Sequence, residues 1–168
     1  MAVEVLETPL AEAQATRLRG PAARTYQVFL DDLARRGCAA LGYRVTGPDP
    51  LERLCVRHLR GEDRVVVAFQ GETRTWVLFI GAHRADDPGA YFYEELYRLA
   101  GVRPPSHQRR RKPPCCGDGD EPPALDEQAI GDLVVRARAL LRGDRRKART
   151  QRERRTSRGG GGPPAWCC

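Results

Sequence analysis

Apolar and polar positions alternate at the start of the chain, at Val3, Glu4, Val5 and Glu7, which predicts a short strand within Met1 to Leu10. Thr8 followed by Pro9 has the form of a helix N-cap and first helical residue, a place where the missing amide proton of proline costs nothing. The spacing then predicts a helix from about Pro9 to Leu18, ended by Gly20 and Pro21. In the next segment Ala22, Tyr26, Phe29, Leu30 and Leu33 recur at helical intervals, with Arg24, Asp31, Asp32, Arg35 and Arg36 on the other side and Gly37 as the stop. These two segments form a predicted helical hairpin.

The period changes after a loop at Thr46 to Pro50, which holds Gly47, Pro48 and Pro50. Three runs with strand character follow, Leu54 to Arg60, Arg64 to Gln70 and Arg74 to Ile80. The separators Gly61-Glu62-Asp63 and Gly71-Glu72-Thr73 have lengths that suit hairpin turns. Val65, Val67, Phe69, Trp76, Leu78 and Ile80 are expected to supply one core face, packed on the helical hairpin. A helix from about Ala90 to Leu99, with Tyr93, Leu96, Tyr97 and Ala100 along one side, ends at Gly101. The expected fold is therefore α+β, a small antiparallel sheet on a helical hairpin in the order β-α-α-β-β-β-α.

Composition shifts sharply beyond Gly101. Pro104, Pro105, Pro113, Pro114, Pro122, Pro123 and the run Arg109 to Lys112 mark residues 102–124 as a linker outside any core. Residues 125–142 read as one amphipathic helix with Ile130, Leu133, Val134, Ala137, Leu140 and Leu141 on a stripe. Residues 143–168 read as a basic, Gly-rich, largely disordered tail, so that 1–101 is the expected folded domain. The Ile130 to Leu141 stripe has a candidate docking place on the protein's own sheet.

Charge sharpens this division. The chain has 168 residues and a formal charge of +7. Its 27 Arg against 2 Lys, with no Asn, indicate a GC-rich coding sequence as one source of the arginine. Residues 1–101 carry 13 Arg against 14 Asp and Glu, a net of −1, while residues 102–168 carry +8. The basicity belongs to the tail, and a large single-sign face on the folded part is excluded. The apolar runs Val65 to Phe69 and Trp76 to Ala82 are far shorter than the roughly 20 residues of a membrane span. Glu4, Glu7 and Glu12 precede any Arg, the reverse of a signal peptide, so a cytoplasmic location without a membrane partner is expected. There Cys38 and Cys55, inside apolar segments, are expected to be packed thiols. Cys115-Cys116 and Cys167-Cys168 lack the two-residue separation of a zinc site, and His107 has no supporting spacing, so neither metal nor cofactor is expected.

The candidate chemistry lies where the meander folds back. Arg57 and His58 are on the first hairpin strand, with Arg60 at its end; Arg64 begins the second strand, His83 and Arg84 follow the third, and Tyr91 and Tyr93 open the last helix. Antiparallel pairing sets the start of the second strand beside the ends of the first and third. Arg57, Arg64, His83 and Tyr93 are thus expected to converge. Cations with an imidazole and a phenol suit a phosphodiester, whose phosphorane needs its charge offset while protons move.

The segments "LCVRHLRGEDRVVVAF", "TWVLFIGAHR" and "YFYEELY", in this element order, resemble the RelE/ParE superfamily of bacterial toxin–antitoxin systems over roughly Val3 to Gly101. RelE-type members are small metal-independent ribonucleases that enter the ribosomal A site and cut messenger RNA by attack of a 2′-hydroxyl on its 3′-phosphate. The resemblance implies Arg64, His83 and Tyr93 as catalytic residues. It implies Arg57, His58, Arg60 and Arg84 as RNA-binding residues, joined by Arg145, Arg146 and Lys147 of the basic tail. His83 falls two residues after Gly81, where RelE has an arginine, and the family's late tyrosine falls at Tyr91 or Tyr93. Asp63 stands where a tyrosine commonly precedes the arginine, and the RelE lysine pair is absent, since no Lys occurs before Lys112. The implied partners are a cognate antitoxin that covers the sheet face, the ribosome and mRNA. ParE-type relatives share the fold, lack the nuclease set and act on DNA gyrase, which is the alternative target; a degenerate module that binds RNA or a partner is the other.

Overall fold

The computed structural model describes residues 2–83, 91–104 and 112–158. Its elements are β1 (Glu4–Glu7), α1 (Pro9–Ala15), α2 (Gly20–Arg36), β2 (Tyr43–Arg44), β3 (Cys55–His58), β4 (Asp63–Gln70), β5 (Arg74–Ala82), α3 (Tyr91–Ala100), β6 (Ala124–Leu125) and α4 (Glu127–Arg158), with short 3₁₀ turns between. The sheet order is β1-β5-β4-β3-β2, and β6 pairs with β4. The antiparallel meander β3 to β5 is the predicted one, and the two-residue β2 extends it beyond the prediction; β1 joins β5, and β6 joins β4, in parallel.

The predicted start of α1 is built as expected. Thr8 accepts the Ala11 amide with its hydroxyl oxygen, Pro9 sits in the first turn, and the Thr8 hydroxyl donates to the carbonyl of Leu78. One side chain thus caps a helix and ties it to the sheet, which explains a fully buried threonine.

Both faces of the sheet are covered, and Val65 to Phe69 on β4 are fully buried. On one face Val65, Val67, Phe69, Val77 and Ile80 pack against Tyr26, Phe29 and Leu33 of α2. On the other, Val56, Val66, Leu78 and Phe79 pack against α3 through Phe92 and Leu96, and against α4 through Ile130, Leu133, Ala137 and Leu141. The expectation that Trp76, Leu78 and Ile80 share one face is corrected here. Val66 pairs with Phe79 while Val67 pairs with Val77, so Leu78 is an extra residue. The bulge breaks the period of two. Trp76 and Leu78 consequently face α3 and α4, and Ile80 faces α2.

The carboxyl-terminal part departs from a simple tail. The stripe Ile130 to Leu141 does lie on the protein's own sheet, and its helix continues to Arg158. Within the Pro-rich stretch, Pro113 accepts the Arg44 amide at 2.8 Å, Pro114 bridges to Tyr43 and β6 extends the sheet. Residues 112–126 therefore run along the sheet as a strap. Two disulfides fasten it, Cys38 to Cys116 and Cys55 to Cys115, so the expectation of packed thiols at Cys38 and Cys55 is corrected as well. Both cysteines are buried, as their apolar settings require, but each meets a strap cysteine with Cα atoms 5.4 and 5.6 Å apart, within bonding reach. Arg84, His107, Cys167 and Cys168 lie outside the described residues. Among the described residues no helix is long and apolar enough to cross a membrane, and no His, Cys, Asp and Glu group could hold a metal ion.

Candidate functional site

Strand register builds the site. His58 pairs with Arg64, and Arg64 pairs with Gly81, so one row crosses β3, β4 and β5 with its side chains on the α3 face. Gly81 is favoured there by close approach: a β-carbon would stand 3.1 Å from the Phe92 ring, which would have to shift by a few tenths of an ångström. That gap lets the first turn of α3 lie over the end of the sheet. Phe92 then sits 5.9 Å from the guanidinium carbon of Arg64, a cation–π contact on one side of the charge.

Arg64 Nε donates to His58 Nε2 at 3.1 Å, which requires that nitrogen to be unprotonated. The His58 pKa is accordingly pulled below the ordinary histidine value, first by desolvation of the ring and then by the charges of Arg64, Lys112 and His83. Arg64 Nη1 is buried and has no hydrogen-bond partner among the described residues. A buried guanidinium donor left unpaired is a place for an anion's oxygen.

His83 lies just past β5, where its amide donates to the Glu62 carbonyl at 2.9 Å and fixes the backbone across the β3–β4 turn. Its ring meets Tyr93 edge-on, with centroids 5.1 Å apart, and Tyr93 in turn meets Phe92 edge-on at 5.3 Å. Of the two candidate tyrosines, Tyr93 is the one seen edge-on against the imidazole. The row and the helix turn bring together Arg64, His58, His83 and Tyr93.

Arg57 is not among them. Alternation along β3 turns it to the α2 face, where Nη1 donates to Asp32 at 2.7 Å and to the Ala40 carbonyl, with the guanidinium 5.6 Å from the Phe29 ring. The Asp32 carboxyl is held below the usual carboxylate range, chiefly by that hydrogen bond and further by Arg36. Arg57 has a structural position, and the expected convergence of all four residues is corrected by this alternation. Arg60 is exposed in the β3–β4 turn.

Two site residues escaped sequence reasoning. Tyr43 on β2 has its ring 6.5 Å from that of His58, and the Lys112 ammonium lies 4.9 Å over the Tyr43 ring. Lys112 comes from the strap, so only a pairing of the Cys115-Cys116 doublet with Cys38 and Cys55 could have placed it. Beside the row, a cleft of about 450 Å³ lies at the end of β5 beyond its pairing with β1, lined by Arg17, Asp63, Gly81, Phe92, Glu95 and Asp144. Burial, then the nearby Asp144, pushes the Glu95 carboxyl above its ordinary value. Asp144 ends the packed part of α4 at this cleft, and the next turn carries Arg145, Arg146 and Lys147, all exposed. The basic run that sequence assigns to a tail therefore starts beside the candidate site.

No family model and no curated protein matches the chain. One similar solved structure is the RelBE2 toxin–antitoxin complex of Mycobacterium tuberculosis, with a TM-score of 0.41 and 19% identity, over 49% of this chain and 99% of that one.

Proposed function

We propose that the chain is a RelE-like toxin component of a type II toxin–antitoxin pair, an endoribonuclease that cuts messenger RNA on the ribosome by 2′-hydroxyl attack on the adjacent phosphodiester. The observation that carries the reading is the His58–Arg64–Gly81 row, with one Arg64 nitrogen bonded to a neutral imidazole and another buried without a partner among the described residues. A guanidinium held in that way is preorganised for a phosphorane: His58 and Phe92 fix it, and its spare donors meet the oxygens where charge develops. His83 and Tyr93 supply the groups that move protons, from the attacking hydroxyl and to the leaving oxygen. Exposed Arg60 and the Arg145 to Lys147 turn, both near this end, are phosphate contacts for the flanking RNA, while Arg57 is engaged with Asp32 on the α2 face.

The partner reading changes with the fold. The chain's own helices occupy both sheet faces, so an antitoxin acts by covering the Arg64 and His83 end of the molecule. Ribosome-programmed cleavage with and without Arg64→Ala tests the function. The proposal expects a loss of about 10²-fold or more, the scale of one preorganised donor. Growth arrest that persists in Arg64→Ala together with DNA damage would favour a gyrase-directed protein instead.

A further inference from the structure

The two disulfides join one strap to two elements of the core. Cys55 on β3 and Cys115 are 0% and 2% exposed. Cys38 lines an open cleft of about 490 Å³ with Arg35, Arg36, Glu72 and Asp120, and Cys116 is half-buried. The strap's other fastenings are the Arg44 amide to Pro113 at 2.8 Å, Arg44 Nε to the Pro114 carbonyl at 3.1 Å, the bridge of Pro114 to Tyr43, Arg53 Nη1 to the Ala124 carbonyl at 2.7 Å, and the two-residue β6 with Leu125 buried in the core. Lys112, three residues before Cys115, is carried on the same segment.

We propose that the paired disulfides form a thiol–disulfide switch, opened by a dithiol reductant in a fixed order, Cys38–Cys116 first and Cys55–Cys115 second, that releases residues 112–126 from the sheet. The order follows from access, because thiolate attack needs approach to a sulfur: Cys38, 5% exposed, lines a cleft and Cys116 is half-buried, whereas Cys55 and Cys115 are 0% and 2% exposed. In the first step a reductant thiolate bonds to one sulfur of Cys38–Cys116, and the S–S bond breaks with the electron pair on the other. The second reductant thiol then displaces the protein sulfur and closes the reductant's own disulfide. Two protons from the dithiol end on Cys38 and Cys116, and the two electrons come from the dithiol. The second step repeats this at Cys55–Cys115 once the strap's outer end has lifted. Opening then withdraws Lys112 from Tyr43. The switch does not depend on the nuclease reading, since it is defined by the strap alone.

Full-length protein titrated with dithiothreitol, alkylated and mapped by peptide mass spectrometry tests the order, and hydrogen exchange tests the release. Cys38 and Cys116 are expected to alkylate at lower reductant than Cys55 and Cys115. Amides across 112–126 are expected to exchange at least tenfold faster after full reduction, with those of α2 and β5 unchanged. Cys38→Ser with Cys116→Ser removes the outer pair alone, and exchange is expected to rise beyond residue 116 while the Arg44 amide, bonded to the Pro113 carbonyl, stays protected. The proposal is overturned by a non-reduced map without these two cross-links, by simultaneous alkylation of all four cysteines, or by strap exchange indifferent to reduction. Retention of one zinc ion per chain by four reduced thiols would overturn it as well.

Discussion

Arg57→Ala separates a structural arginine from a binding one. In the folded protein the Arg57 side chain is 33% exposed and Asp32 14%, and the 2.7 Å hydrogen bond between them is the shorter of the two arginine contacts that Asp32 makes. Truncation removes one charge-assisted hydrogen bond, about 1.5–3 kcal/mol when the partner stays largely covered. It also removes the contact with Phe29, about 0.5–1 kcal/mol at a partly exposed ring. Arg36, 57% exposed, still reaches Asp32 at 3.2 Å and offsets part of the loss. A net cost of about 2 kcal/mol is expected, which for a domain of this size lowers the melting temperature by roughly 4–8 °C. The effect has a pH signature. Asp32 is held below its ordinary pKa in the folded state, so its contribution is present above the unfolded value near 4 and is lost as pH falls through the lower folded value. Thermal melts of both proteins across pH 2.5–7 should show a gap that is full at pH 7 and closes in acid, with RNA affinity unchanged throughout. Equal melting temperatures at pH 7, or intact stability with weakened RNA binding, would refute the assignment of Arg57 to the core.

Other elements give equally direct expectations. Gly81→Ala pushes a methyl against Phe92, and a loss of about 1–3 kcal/mol in chemical denaturation is expected, with cleavage slowed further because Phe92 supports Arg64. Neutral His58 accepts from Arg64, so activity should fall only as pH drops below the ordinary histidine value of about 6.5; an acid limb above that value in the rate profile would contradict the shift. With Cys38–Cys116 left intact, Cys55→Ser with Cys115→Ser opens a ring of only about 18 residues, and the loop-entropy estimate is about 3 kcal/mol, readable as a lowered guanidinium midpoint.

Much of the fold could be read from the chain because local signals agreed with the tertiary result. Thr8-Pro9 reads as a cap and becomes one, and the separators at Gly61 and Gly71 turn the meander as their lengths require. Failures came where the deciding contact was distant in sequence. Period-two reading misassigned Trp76 and Leu78 because the bulge at Leu78 depends on pairing with β4. Proline content suggested a loose linker at 102–124, whereas disulfides to residues 60 and 78 positions away hold its second half down. The same distance hid Lys112 and Tyr43 from the candidate site. Arg57 was misplaced by one step of strand alternation: a cluster argued from strand ends fixes which end of the sheet a residue occupies, and its face follows only from which neighbours bury.

The phosphodiester reading stands on Arg64 and the histidines around it, and the chemistry of the cut ends is its most direct test. Purified full-length protein acting on ribosome-bound messenger RNA should leave 2′,3′-cyclic phosphate or 3′-phosphate ends opposite 5′-hydroxyls. A single 2′-deoxy substitution at the cut site should block cleavage, and Arg64→Ala should slow it by about 10²-fold or more. Products with 5′-phosphates and 3′-hydroxyls, or cleavage that survives the 2′-deoxy substitution, would contradict the account.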